Sequence, residues 1–96
     1  MKRLSQIKAT LYSRKSDLFQ KYRVKRIAIF GSCARNQQEK HSDVDILVEF
    51  NSPIGIEFID LANYLESLLK IRVDLVSRNG IKPRYFREIK NDLKYV

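Results

Sequence analysis

Nineteen Lys and Arg against eleven Asp and Glu give this 96-residue chain a net charge of +8, with 44% apolar and 31% charged residues and only three Gly and two Pro. That mixture predicts one globular domain over residues 1–96 and argues against a disordered tail, a collagen-like repeat or a low-complexity linker. No apolar run nears the ~18 residues of a membrane span, Met1–Lys8 turns polar too soon for a signal peptide, and the one cysteine, Cys33, has no partner for an internal disulfide, so the chain reads as soluble and cytoplasmic.

Leu4, Ile7, Leu11, Leu18 and Tyr22 recur at helical spacings among basic residues and predict an amphipathic helix over 2–22. Val24–Phe30 is a β-branched, apolar run closed by Gly31, a first strand. Residues 33–42 are polar and long enough for a short helix and a turn. From Asp43 to Phe50 the chain alternates: Val44, Ile46, Val48 and Phe50 share one face, and Asp43, Asp45, Leu47 and Glu49 the other. This second strand has one clearly buried side. Ser52-Pro53 reads as a helix entry, and Phe58, Leu61, Ala62, Leu65, Leu68 and Leu69 trace a helical face through residue 70. Arg72–Val76 is a third strand, and Tyr85, Phe86, Ile89 and Leu93 give a last helix after Pro83.

About a dozen residues separate the first two strands, near the lower limit for a parallel crossover, so antiparallel pairing is expected. A helix joins the second strand to the third, as a right-handed parallel crossover requires. The fold class is therefore α/β or α+β, a small mixed sheet of about three strands flanked by helices.

Charge is unevenly placed. Residues 1–26 hold nine basic side chains and one acid, residues 27–77 hold four and eight, and residues 78–96 hold six and two. The basic ends favour an acidic partner or simply solvate two helices. The acids in the middle are more telling. Asp43 and Asp45 stand two apart on a strand, so their carboxylates project from one face and repel unless a cation lies between them. Hard oxygen ligands of this kind suit magnesium or manganese; the plainer alternative is the wet face of an amphipathic strand. Asp74 lies in the third strand. If that strand adjoins the second, three carboxylates converge as an anchor for metal-assisted phosphoryl transfer; otherwise Asp74 is a surface acid paired with Arg72 or Arg78. Gly31-Ser32 ends the first strand, where free amides and a hydroxyl suit phosphate, and an ordinary turn is the alternative.

Taken together, Phe30-Gly31-Ser32-Cys33-Ala34-Arg35, then Ser42-Asp43-Val44-Asp45, then Arg72-Val73-Asp74-Leu75-Val76 resemble the minimal nucleotidyltransferases (MNT), the smallest branch of the DNA polymerase β superfamily. The family pattern is Gly-Ser, about ten residues, Asp-x-Asp, and a third Asp on a later strand. All three parts occur in order, and the resemblance covers essentially the whole chain. Asn36 departs from it, standing where many members have glycine.

The resemblance implies that Asp43, Asp45 and Asp74 bind the metal, magnesium or manganese. It implies further that Asp74 helps to deprotonate the acceptor, that Gly31 and Ser32 hold the β- and γ-phosphates, and that Arg35 fixes that loop or the phosphates. It also implies a role: an antitoxin that transfers AMP from ATP to a tyrosine of a helical HEPN ribonuclease toxin. Two other functions stay open at this level. One is an antitoxin that acts by occlusion alone; the other is a nucleotidyltransferase acting on nucleic acid or a small molecule. His41 reads as a solvent-facing turn residue, Cys33 as packing beside the loop, and the five tyrosines as helix edges rather than a stacking platform.

Overall fold

The computed structural model describes residues 4–37 and 43–96. The first amphipathic stretch is two helices, α1 (Leu4–Ser13) and α2 (Lys15–Tyr22), rather than the one expected. Near the break, Thr10 Oγ1 donates to the Gln6 carbonyl (3.0 Å) and Ser13 Oγ to that of Thr10 (2.6 Å). Hydroxyls that bond back into a helix in this way bend it. Arg23 and Lys70 end α2 and the fourth helix in the left-handed conformation (φ 57° at each), closing the last turn through their own N–H groups.

Strand β1 (Val24–Phe30) leads directly into α3 (Gly31–Ala34), then come β2 (Val44–Phe50), α4 (Glu57–Leu69), β3 (Val73–Ser77), α5 (Pro83–Ile89), a 3₁₀ turn over Lys90–Asp92 and a two-residue strand β4 (Lys94–Tyr95). Helix α4 begins four residues after the Ser52-Pro53 entry predicted for it. Residues 51–56 are bends and a turn instead, and Glu57 at the helix start accepts from the Gly55 N–H (3.4 Å).

The sheet has the order β3-β2-β1-β4, with β2 antiparallel to β1 and parallel to β3, as the connection lengths required. The fourth strand corrects the expectation of three. β4 is too short to show alternation and exists only through its pairing with Ala28 and Ile29 of β1. Leu93, expected on the last helix, lies beyond it.

The two sheet faces are covered differently. Ile7, Leu11 and Leu18 of α1 and α2, and Leu61, Leu65 and Leu69 of α4, pack on Ile27, Ile29, Val44, Ile46 and Val48 as the main core. The opposite face carries a smaller cluster of Phe30, Leu47 and Ile89, flanked by Val76, Ile81, Phe86 and Leu93. Leu47, read as sharing the wet face, is buried there. Helix α5 covers only the apolar part of this face, and the acids of β2 and β3 lie beside it. No helix among the described residues is long and apolar enough to cross a membrane.

Candidate active site

Parallel register sets Asp45 of β2 directly opposite Asp74 of β3, so two strands that each strongly favour apolar neighbours present a pair of acids on one face. Asp45 is half-buried and Asp74 exposed. Burial, the charge of Asp74, a side-chain hydrogen bond to Asp74 and the charge of Asp43 together push the Asp45 carboxyl up to about 6, with Arg35 opposing them. Like charges this close raise one another's cost of ionisation, and a cation set between them would relieve it.

Asp43 precedes β2 by one residue and is exposed, with Oδ1 3.7 Å from Nε of the more exposed Arg72. Asp74 therefore does not take the Arg72 pairing that would have made it an ordinary surface acid. Its other candidate partner, Arg78, stacks over the Phe86 ring at 3.8 Å. Among the described residues, no three ligating side chains enclose an ion. Asp45 and Asp74 are register partners, while Asp43 faces Arg72 across a long, solvent-exposed contact worth at most about 1 kcal/mol. The donor set is all carboxylate, which fits a hard divalent ion.

Gly31 is where the turn meets the acids. Its φ is +74°, and a Cβ there would overlap Oδ2 of Asp45 and come within 3.1 Å of Cγ. Only glycine satisfies both conditions. Ser32 follows in the same turn, which the Gln37 N–H closes by donating to the Ser32 carbonyl (2.8 Å). Asn36 adopts φ 55°, the conformation glycine takes most easily and asparagine tolerates, so the departure at this position keeps the backbone the turn needs.

Arg35 links the end of α3 to the 3₁₀ turn. Its Nη1 lies 2.5 Å from Asp92 Oδ2 in the 3₁₀ turn, and its Nε donates to Gln37 Oε1 (3.1 Å). Nothing in the linear pattern foretold Asp92, 57 residues away. Cys33 is buried in the main core, where burial and then Asp45 push its thiol pKa up; it packs and is a poor nucleophile. His41 and Ser42 lie outside the described residues. Tyr85 of α5, read in the sequence as a helix edge, packs on Phe30, the register partner of Asp45, and so stands beside this site.

The nucleotidyltransferase domain model matches residues 12–96. A Methanocaldococcus jannaschii protein named "Putative protein adenylyltransferase" is 49% identical over the whole of both chains. The protein adenylyltransferase MntA of Thermococcus cleftensis is 38% identical, over 97% of this chain and 95% of its own. Among solved structures, a "putative minimal nucleotidyltransferase" superposes with TM-score 0.82 at 31% identity, covering 97% of this chain and 95% of that one. A toxin–antitoxin crystal structure with AMP-PNP superposes with TM-score 0.72 at 26% identity, covering 86% and 69%.

Proposed function

The chain belongs to the nucleotidyltransferase domain family and is a nucleotidyltransferase, and we propose that it transfers AMP from ATP to a tyrosine of a HEPN-type ribonuclease toxin, so acting as its antitoxin. In this reading residues 1–96 are one minimal nucleotidyltransferase domain working in the cytoplasm. The observation that carries the chemistry is the register pairing of Asp45 with Asp74 beside the glycine turn at Gly31. The names of the two relatives support adenylyl transfer to protein. The AMP-PNP-bound toxin–antitoxin neighbour supports ATP as donor and a toxin as acceptor.

Asp43, Asp45 and Asp74 would hold magnesium or manganese. Bound there, such an ion neutralises the triphosphate and the departing pyrophosphate. The backbone amides at Gly31 and Ser32, with the Ser32 hydroxyl, hold the β- and γ-phosphates. Arg35 fixes that turn by tying it to Asp92. Asp74, on the edge strand and open to solvent, takes the proton of the acceptor phenol as its oxygen attacks the α-phosphorus. The bond from that phosphorus to the pyrophosphate oxygen breaks, leaving AMP on the tyrosine. Each group acts by position and charge, the main resources for phosphoryl-type transfer.

The test is the intact mass of the cognate toxin after incubation with this chain, ATP and magnesium, beside an Asp43→Ala, Asp45→Ala double variant. The expected result is a gain in whole AMP units that the variant abolishes, with fragmentation placing it on tyrosine. A stable complex with both versions and no mass gain would overturn the transferase reading and leave occlusion. Transfer to RNA or a small molecule instead would overturn the choice of acceptor.

A further inference from the structure

The described residues leave one large aromatic ring open at the edge of the carboxylate site. Tyr85 lies in the first turns of α5, which Pro83 opens. Its ring packs edge-on against Phe30, with centroids 6.4 Å apart and planes at 78°. Phe30 immediately precedes Gly31 and Ser32, so Tyr85 is fastened to the same corner of the fold that forms the glycine turn. Phe30 is also the register partner of Asp45, and burial, then the charges of Asp45, Asp74 and Glu88, push the Tyr85 phenol up.

Its neighbours on α5 and beyond have a different task. Phe86, Ile89 and Leu93 go into the small core under the helix, and Arg78 covers the Phe86 ring. Tyr85 stays 40% exposed. The other aromatic residues that form ring pairs, Tyr22 with Tyr64 and Phe50 with Phe58, belong to the main core on the opposite face. An aromatic ring already packed on one neighbour and still partly exposed costs little to order when a second planar group stacks on it.

We propose that the exposed face of Tyr85 is the nucleobase subsite, stacking the purine of the bound nucleotide while the carboxylates and the Gly31-Ser32 turn hold its phosphates. The inference rests on the nucleotidyltransferase reading and assigns to it the base contact that the motif residues do not supply. Stacking uses the ring rather than the hydroxyl. Tyr85→Phe therefore preserves the subsite and Tyr85→Ala removes it.

The experiment measures equilibrium binding of magnesium-ATP and of magnesium-tripolyphosphate to the full chain, as wild type, Tyr85→Phe and Tyr85→Ala. Base–aromatic stacking predicts a loss of about tenfold for ATP in Tyr85→Ala, on the scale such contacts show in alanine substitutions. Tripolyphosphate, which has no base, should bind all three proteins alike, and Tyr85→Phe should bind ATP within about twofold of wild type. Equal losses for both ligands in Tyr85→Ala would show that the residue only supports the fold of the phosphate site, and would overturn the proposal. Unchanged ATP binding in Tyr85→Ala would overturn it as well, and so would a loss in Tyr85→Phe as large as in Tyr85→Ala. None of these arms contains a toxin, so failure of the base subsite is distinguishable from failure of the acceptor assignment, which would appear as normal ATP binding without transfer.

Discussion

At Asp45 the fold accepts a cost that function explains. The carboxyl titrates near 6 here against an ordinary 3.8. Between those values the folded chain holds a proton that the unfolded chain has lost, so this group makes stability fall as pH rises through the window, with the full cost reached above 6. Asp45→Asn removes it. A shift of about two units corresponds to about 3 kcal/mol, and solvent at this half-open site reduces the expected gain to about 1–2 kcal/mol. Thermal melts of metal-free protein at pH 7.5 should therefore show the variant melting several degrees higher. Near pH 3.5 the difference should vanish. Magnesium should raise the wild-type melting temperature and leave that of Asp45→Asn nearly unchanged, and the variant should transfer no AMP. A variant less stable than wild type at neutral pH would contradict this account. The approach of Asp45 to Asp74 and the glycine turn at Gly31 beside them were legible in the sequence because strand alternation and turn chemistry are local rules. Tyr85 was not, because its meaning comes from where α5 lies across the sheet.

The elements were legible where period and length agreed, as in β1, β2 and the body of α4. They failed where a side chain or a distant strand decided the outcome. The first helix stops at Ser13 beside two hydroxyl bonds, from Thr10 and Ser13, that an apolar period does not register. β4 forms only because β1 offers an edge at Ala28 and Ile29. The 3₁₀ turn before β4 carries Asp92, which links this late segment to α3 through Arg35. The pair is partly exposed, at 46% and 30%, so its contribution to stability is at most about 1 kcal/mol. Its contribution to geometry is to tie the turn at Gly31 and Ser32, the proposed phosphate site, to the end of the chain. Asp92→Ala should therefore lower the transfer rate as far as Arg35→Ala does, and the double variant should be no worse than either. Steady-state kinetics of the three variants check this. A defect confined to Arg35→Ala would instead make the guanidinium a direct phosphate ligand.

Across the whole molecule, charge separates stability from association. The chain carries +8 in all, and nine basic residues but one acid stand in its first 26 positions. Glu49 lies 3.9 Å from Lys25 Nζ and 3.8 Å from Arg26 Nε, distances at which exposed pairs add little. Repulsion among the basic residues therefore outweighs attraction on the outside of α1, α2 and β1, and salt screens it over about 10 Å at 0.1 M. Raising salt from 0.05 to 0.5 M should raise the melting temperature by a few degrees. A partner with an acidic surface would be attracted by the same cations, and that attraction would weaken with salt, chiefly in the association rate. The two effects have opposite signs in one protein. Melting curves and association kinetics over the same salt series check them together. A complex that forms equally fast at both ends of the series, while the free chain gains stability, would mean that the partner docks on apolar surface and that the basic helices serve solubility alone.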